Sequence, residues 1–193
     1  MSSLADREKK ILLEVARRSL VLAVQSGEPL GEGSLPAEEV LAHPGGVFVT
    51  LRIRGRLRGC MGQLGCGVPL IRVVAHCAKA AALEDPRFEP VGPGEVSQID
   101  IEISVLSPLE DISAGRVEPG RHGLLVTRGT QRGLLLPQVA TEFRWSAERF
   151  VQETCVKGGM EPNAWNDPAT RIQVFTADVF SESGAEIKKT SGP

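Results

Sequence analysis

The chain has 193 residues, 41% hydrophobic and 24% charged, with a formal net charge of −2. This is the profile of a globular protein large enough for one sizeable core. It excludes a disordered chain, and one drawn to nucleic acid or anionic membrane by bulk charge. No apolar run reaches the roughly 18 residues of a membrane span, and the four cysteines are too sparse for a disulfide scaffold, so a cytoplasmic location is expected.

Residues 5–25 read as a helix with Ile11, Leu12, Val15, Ser19 and Leu22 on one stripe and Gly27 as its stop. A Gly/Pro-rich connection follows, then a short helix over 37–42. Val47, Val49, Leu51 and Ile53 alternate with Phe48, Thr50, Arg52 and Arg54, the pattern of a half-buried strand. Gly55 breaks the run, and Leu57 to Met61 can return as the second strand of a hairpin. Two registers compete. The three-residue turn Arg54–Arg56 pairs Ile53 with Leu57 and Val49 with Met61, so that the apolar sets coincide; a two-residue turn at Gly55 and Arg56 puts an arginine on the apolar face. The first is preferred, and it places Cys60 on one face with Thr50, Arg52 and Arg58. These arginines fit a solvated face or a ladder with Asp100 and Glu102 as readily as a substrate site.

Pro69 opens a second helix whose stripe, Leu70, Val73, Val74, Cys77, Ala80 and Ala81, makes Cys77 a packing residue and leaves His76 on the surface. Cys60, Cys66, His76 and Cys77 match no common zinc spacing, so no metal is expected. Pro86 marks the boundary after this helix, and Ile99, Ile101, Ile103 and Val105 alternate with Asp100, Glu102 and Ser104 as another half-buried strand. Leu124–Thr127 and Leu134–Leu136 flank a polar turn. His122, just ahead of the first, is the best placed of the histidines for acid–base work. Two helical pieces follow Pro137, the second capped by Ser146, ending at Lys157 and stopped by Gly158 and Gly159, with Phe150, Val151 and Cys155 inward. Residues 172–180 form one closing strand and 182–193 a flexible tail. With no repeat and no long linker, the order is that of a single α+β domain.

The segment with most chemistry is Leu57-Arg58-Gly59-Cys60-Met61-Gly62. A free thiol titrates near ~8.5, and neighbouring cations lower it toward the reactive thiolate. Arg52, Arg54, Arg56 and Arg58 supply the cations, and Gly59 and Gly62 let backbone or ligand approach closely. The alternative is that Cys60 is a small buried hydrophobe.

This segment, with Asp85-Pro86-Arg87-Phe88, Leu136-Pro137-Gln138-Val139 and the stretches 47–51, 101–108, 122–123 and 155–165, resembles in order the AMMECR domain family, named for the Alport syndrome, midface hypoplasia and elliptocytosis chromosomal region. The resemblance covers nearly the whole chain. Met61 stands where the family hallmark has isoleucine. Gln63-Leu64-Gly65-Cys66 departs from the Thr-Phe common in relatives, so Cys66 inherits no role. The resemblance implies a mixed α+β fold with a mainly antiparallel sheet, a larger lobe built from both chain ends and a smaller one from an internal segment, around a cleft near the hallmark. It also implies work beside radical SAM enzymes and Memo-type proteins, in modifying RNA or another macromolecule. No motif specifies a cofactor.

Two functions stand against each other. In an enzyme, Cys60 is the nucleophile or transient covalent acceptor, His122 or Asp85 handles protons, and Arg52, Arg58, Gly59, Gly62, Arg87 and Gln138 contact substrate. In a binding module, the chain presents a nucleotide, an RNA or a partner protein to a separate catalyst. Against single-strand binding stands the lack of tyrosine and an aromatic content of 4%.

Overall fold

The structure, a computed structural model, describes residues 4–28, 30–36, 46–64 and 67–184. The expected helix over 37–42, Cys66 and most of the expected tail lie outside the described residues.

Helix α1 (Asp6–Ser26) starts where the Glu8 carboxylate accepts the Ala5 N–H at 2.6 Å, and ends at Gly27, whose φ of 77° is the left-handed cap that glycine adopts without strain. Its buried stripe is Leu12, Val15, Ala16, Ser19, Leu20 and Ala23, rotated slightly from the expected one so that Ile11 and Leu22 sit at its margins. Strands β1 (Gly46–Ile53) and β2 (Arg56–Gln63) form the hairpin. Helix α2 (Leu70–Leu83) buries all six expected stripe residues, leaves His76 exposed, and packs on α1 and on both hairpin strands. β3 is Ile99–Leu106 and β4 the two-residue strand Glu110–Asp111. β5 (Gly123–Arg128) and β6 (Gln131–Leu135) form a second hairpin, followed by α3 (Pro137–Glu142) and α4 (Ala147–Lys157). The Ser146 hydroxyl accepts the Arg149 N–H at 3.2 Å as the expected cap of α4.

The expected single strand over 172–180 is two: β7 (Arg171–Phe175) and β8 (Ala177–Ser181). They belong to different antiparallel sheets, ordered β2-β1-β3-β8 and β4-β7-β5-β6. Thr176 breaks the run by pairing with Ser107: the Ser107 N–H donates to the Thr176 carbonyl at 2.9 Å and the Thr176 N–H to the Ser107 hydroxyl at 3.0 Å. The chain accordingly divides into two compact units. One is built from the described residues up to Leu106 together with those from Asp178, the other from Ser107 to Ala177. Each has its own apolar core, the first where α1 and α2 cover one face of the first sheet, the second around Leu124, Val126, Phe150 and Cys155. Glu182 and Ser183, expected in the tail, are held in place: Glu182 bonds Arg17 and accepts the Ile101 N–H, and Ser183 bonds Asp100.

The first hairpin differs from its expected register in an informative way. Arg54 and Gly55, at φ 51° and 76°, make a two-residue turn of the primed kind, whose twist matches that of the strands. Ile53 therefore pairs with Arg56 and Arg52 with Leu57, and a bulge at Arg58 restores Leu51–Gly59, Thr50–Cys60 and Val49–Met61. The bulge reconciles a tight turn with the apolar register that the sequence demands.

Candidate thiol site

Helix α2 cannot continue past Glu84 because Pro86 follows. In the turn that replaces it, the Asp85 carbonyl accepts the Phe88 N–H at 3.1 Å. The Asp85 side chain caps the same turn by accepting the Arg87 N–H at 3.1 Å, and its other oxygen accepts the Cys60 N–H at 2.8 Å across 25 positions of sequence. Arg87 closes a fork on this carboxylate, Nε to Oδ1 at 2.9 Å and Nη2 to Oδ2 at 2.7 Å. The arginine fork first, opposed by burial and aided by the Cys60 N–H, holds the Asp85 carboxyl down at about 2. Asp85 is therefore an ionised anchor and a poor proton carrier, which corrects its expected acid–base role.

Cys60 is half-buried, and the Thr50 hydroxyl opposite it in β1 lies 3.4 Å from the sulfur. Burial pushes the thiol up; the Thr50 hydrogen bond and the Arg87 charge pull it down, while Asp85 and Glu102 add to the upward push. The expected depressed thiol is thus corrected, and so is its expected source. Arg58 faces away to the 89–95 segment, donating through Nε and Nη2 to the two Glu95 oxygens at 2.7 and 2.9 Å and through Nη1 to the Glu89 carbonyl at 2.9 Å. Its charge is spent on Glu95, whose carboxyl the arginine holds at about 2. The cation beside the thiol is Arg87, whose Nη1 lies outside the Asp85 fork on a side chain 54% exposed. Arg58→Ala should therefore leave the iodoacetamide rate of Cys60, read by peptide mass spectrometry, within about twofold of wild type. Arg87→Ala should slow it about three- to tenfold at pH 8 by letting the thiol rise further. The reverse ranking would restore Arg58 as the tuning cation.

The two hallmark glycines serve packing rather than ligand approach. A Cβ on Gly59 would lie 2.1 Å from the Ala81 carbonyl oxygen, so the glycine is what lets α2 cross the strand. A Cβ on Gly62 would meet the Phe48 ring at 2.2 Å, and Phe48 is its cross-strand partner. Arg52 lies opposite Asp100 in β3 and 3.5 Å from Glu102, the charge-ladder alternative. His122 and Gln138 belong to the second unit. His122 is 9% exposed and its Nδ1 accepts the Glu118 N–H at 3.1 Å, so the ring closes a turn; burial holds it below the ordinary imidazole value. Gln138 is half-buried in the first turn of α3.

Within the first unit, then, Cys60, Asp85, Arg87 and Thr50 come together. The sequence had no signal for Thr50 beyond its face on the strand, and none for Glu95 as the partner of Arg58. Cys77 and Cys155 are buried packing residues, as expected. Among the described residues no group of three or more His, Cys, Asp or Glu could hold a metal ion, and no helix is long and apolar enough to cross a membrane.

Fold and site together define a two-unit α+β protein with a cysteine on a bulged hairpin, its amide bound to a carboxylate that an arginine holds ionised. The AMMECR1 family model matches residues 13–180, and the chain belongs to that family. Its relatives include a protein of Methanothermobacter thermautotrophicus, 41% identical over 190 residues that cover 94% of this chain and 97% of that one. A protein of Thermococcus gammatolerans is 38% identical and covers 94% of each chain. The crystal structure of uncharacterized protein PH0010 from Pyrococcus horikoshii superposes with a TM-score of 0.83 at 36% identity, covering 94% of both chains.

Proposed function

We propose that this protein is a working component of a macromolecule-modification system, acting beside a radical SAM enzyme and a Memo-type protein, and that it engages substrate through Cys60. The observation that carries this reading is the constellation around the thiol. Four groups from two separate segments, Thr50 and Cys60 of the hairpin and Asp85 and Arg87 of the turn after α2, are fixed by directional bonds that packing alone does not require. Asp85 locks the backbone of Cys60, and Arg87 is held next to the sulfur with Nη1 outside the fork, suited to an anionic substrate group. The partnership is supported by kinship alone. The competing reading, a binding module for a nucleotide, RNA or protein, draws support from the raised thiol, since a protonated thiol is a weak nucleophile.

One substitution separates the two. In an assay reconstituted with candidate radical SAM and Memo-type partners, Cys60→Ser should cut turnover at least tenfold while complex formation persists, because the serine hydroxyl is far less ionised than the thiol. Turnover at the wild-type level would leave the binding module standing instead.

A further inference from the structure

The face of the first sheet that carries Cys60 continues past Thr50 to Glu102 of β3, which is Thr50's partner on the other side. Sequence alternation makes Glu102 and Ser104 solvent-facing, yet they are 4% and 1% exposed. Among the described residues neither is satisfied: Glu102 Oε1 and Ser104 Oγ are buried with no hydrogen-bond partner. Among the described residues the other Glu102 oxygen has only the ion pair with Arg52 Nε at 3.5 Å, too long for a good hydrogen bond. A carboxylate out of water without hydrogen bonds is costly, so natural structures pair such groups. Asp100, opposite Arg52 in the register, bonds Ser183 instead, so among the described residues Arg52 is the one cation paired with Glu102.

We propose that Glu102, with Ser104 beside it, seats a primary ammonium group of the substrate next to Cys60. This deepens the thiol-site reading and rests on it. An ammonium supplies three N–H donors, enough for Oε1 and the Ser104 hydroxyl together. The substrate would then span the anion-binding Arg87 of the turn after α2, the thiol of β2 and the cation-binding carboxylate of β3.

Two alkylating reagents of the same charge separate hydrogen bonding from simple attraction. 2-Bromoethylammonium carries N–H donors and (2-bromoethyl)trimethylammonium carries none. In each reaction the Cys60 sulfur bonds to carbon, bromide leaves, and the thiol proton passes to buffer. With rates at Cys60 normalised to those of glutathione, wild type should prefer the primary ammonium reagent at least tenfold, with saturation, and Glu102→Gln should bring the ratio to near one. Ser104→Ala, which keeps the carboxylate, should lower the ratio about threefold and stands as the second variant should Glu102→Gln not fold. A wild-type ratio near one overturns the proposal. A preference that survives both substitutions reports reagent size and overturns it equally. A Cys60 inert to both reagents and to iodoacetamide overturns the thiol-site reading as well, whereas labelling by iodoacetamide without an ammonium preference removes the Glu102 seat alone.

Discussion

Asp85→Asn is expected to lower the unfolding free energy by about 2–4 kcal/mol, measured by urea denaturation at pH 7. The carboxylate is 5% exposed and serves three donors besides its own turn: Arg87 Nε, Arg87 Nη2 and the Cys60 N–H. Asparagine is near in shape but has one acceptor oxygen and no charge, so the fork is lost and at least one donor is left without an acceptor. The pH dependence has a definite sign. A carboxyl held at about 2 against an ordinary 3.8 favours the folded state wherever it is ionised in both states. Its contribution, about 2 kcal/mol, is complete above the unfolded value and is lost as pH falls from about 4 toward 2. Wild type should lose stability through that window more steeply than Asp85→Asn, which has nothing there to protonate. Parallel acid curves for the two proteins would show that the fork does not hold the carboxyl down. The double variant Asp85→Asn, Arg87→Met should be less destabilised than the sum of its singles, because each single strands the partner that the other removes.

Gly59→Ala should cost about 3 kcal/mol or more, and Gly62→Ala about 1 kcal/mol, in the same denaturation experiment. Both added methyl carbons would clash, at 2.1 Å and 2.2 Å, so distance alone does not separate them. What separates them is the neighbour. At Gly59 it is the Ala81 carbonyl within α2, which can yield only if the helix shifts off the strand; at Gly62 it is the Phe48 ring, which can turn about its side-chain torsions. Equal costs at the two positions would mean that α2 rides on the hairpin more loosely than its buried stripe indicates. A large loss at Gly59 with Cys60 still reactive would also separate the packing role of the hallmark from its chemical one.

Much of this was legible in the chain itself. Periodicity determined the described helices α1, α2 and α4, the strand faces, the burial of Cys77 and Cys155 and the exposure of His76, because each depends on residues a few positions apart along one regular element. The Ser146 cap and the Gly27 stop are equally local, and motif order alone was sufficient for the family. What lay beyond the sequence depends on partners far along the chain. Four arginines before a cysteine suggest a thiolate, but a guanidinium acts on whatever it reaches, and the bulge and the 89–95 segment direct Arg58 to Glu95 while the turn after α2 brings Arg87 to the sulfur. The run over 172–180 reads as one strand because alternation carries no record of which sheet a residue joins; the Ser107–Thr176 pairing divides it. Glu102 shows the same division most sharply. Alternation assigns the face it occupies, but only tertiary burial decides whether that face meets water, and burial is what leaves Oε1 of an ordinary strand carboxylate without a hydrogen bond among the described residues.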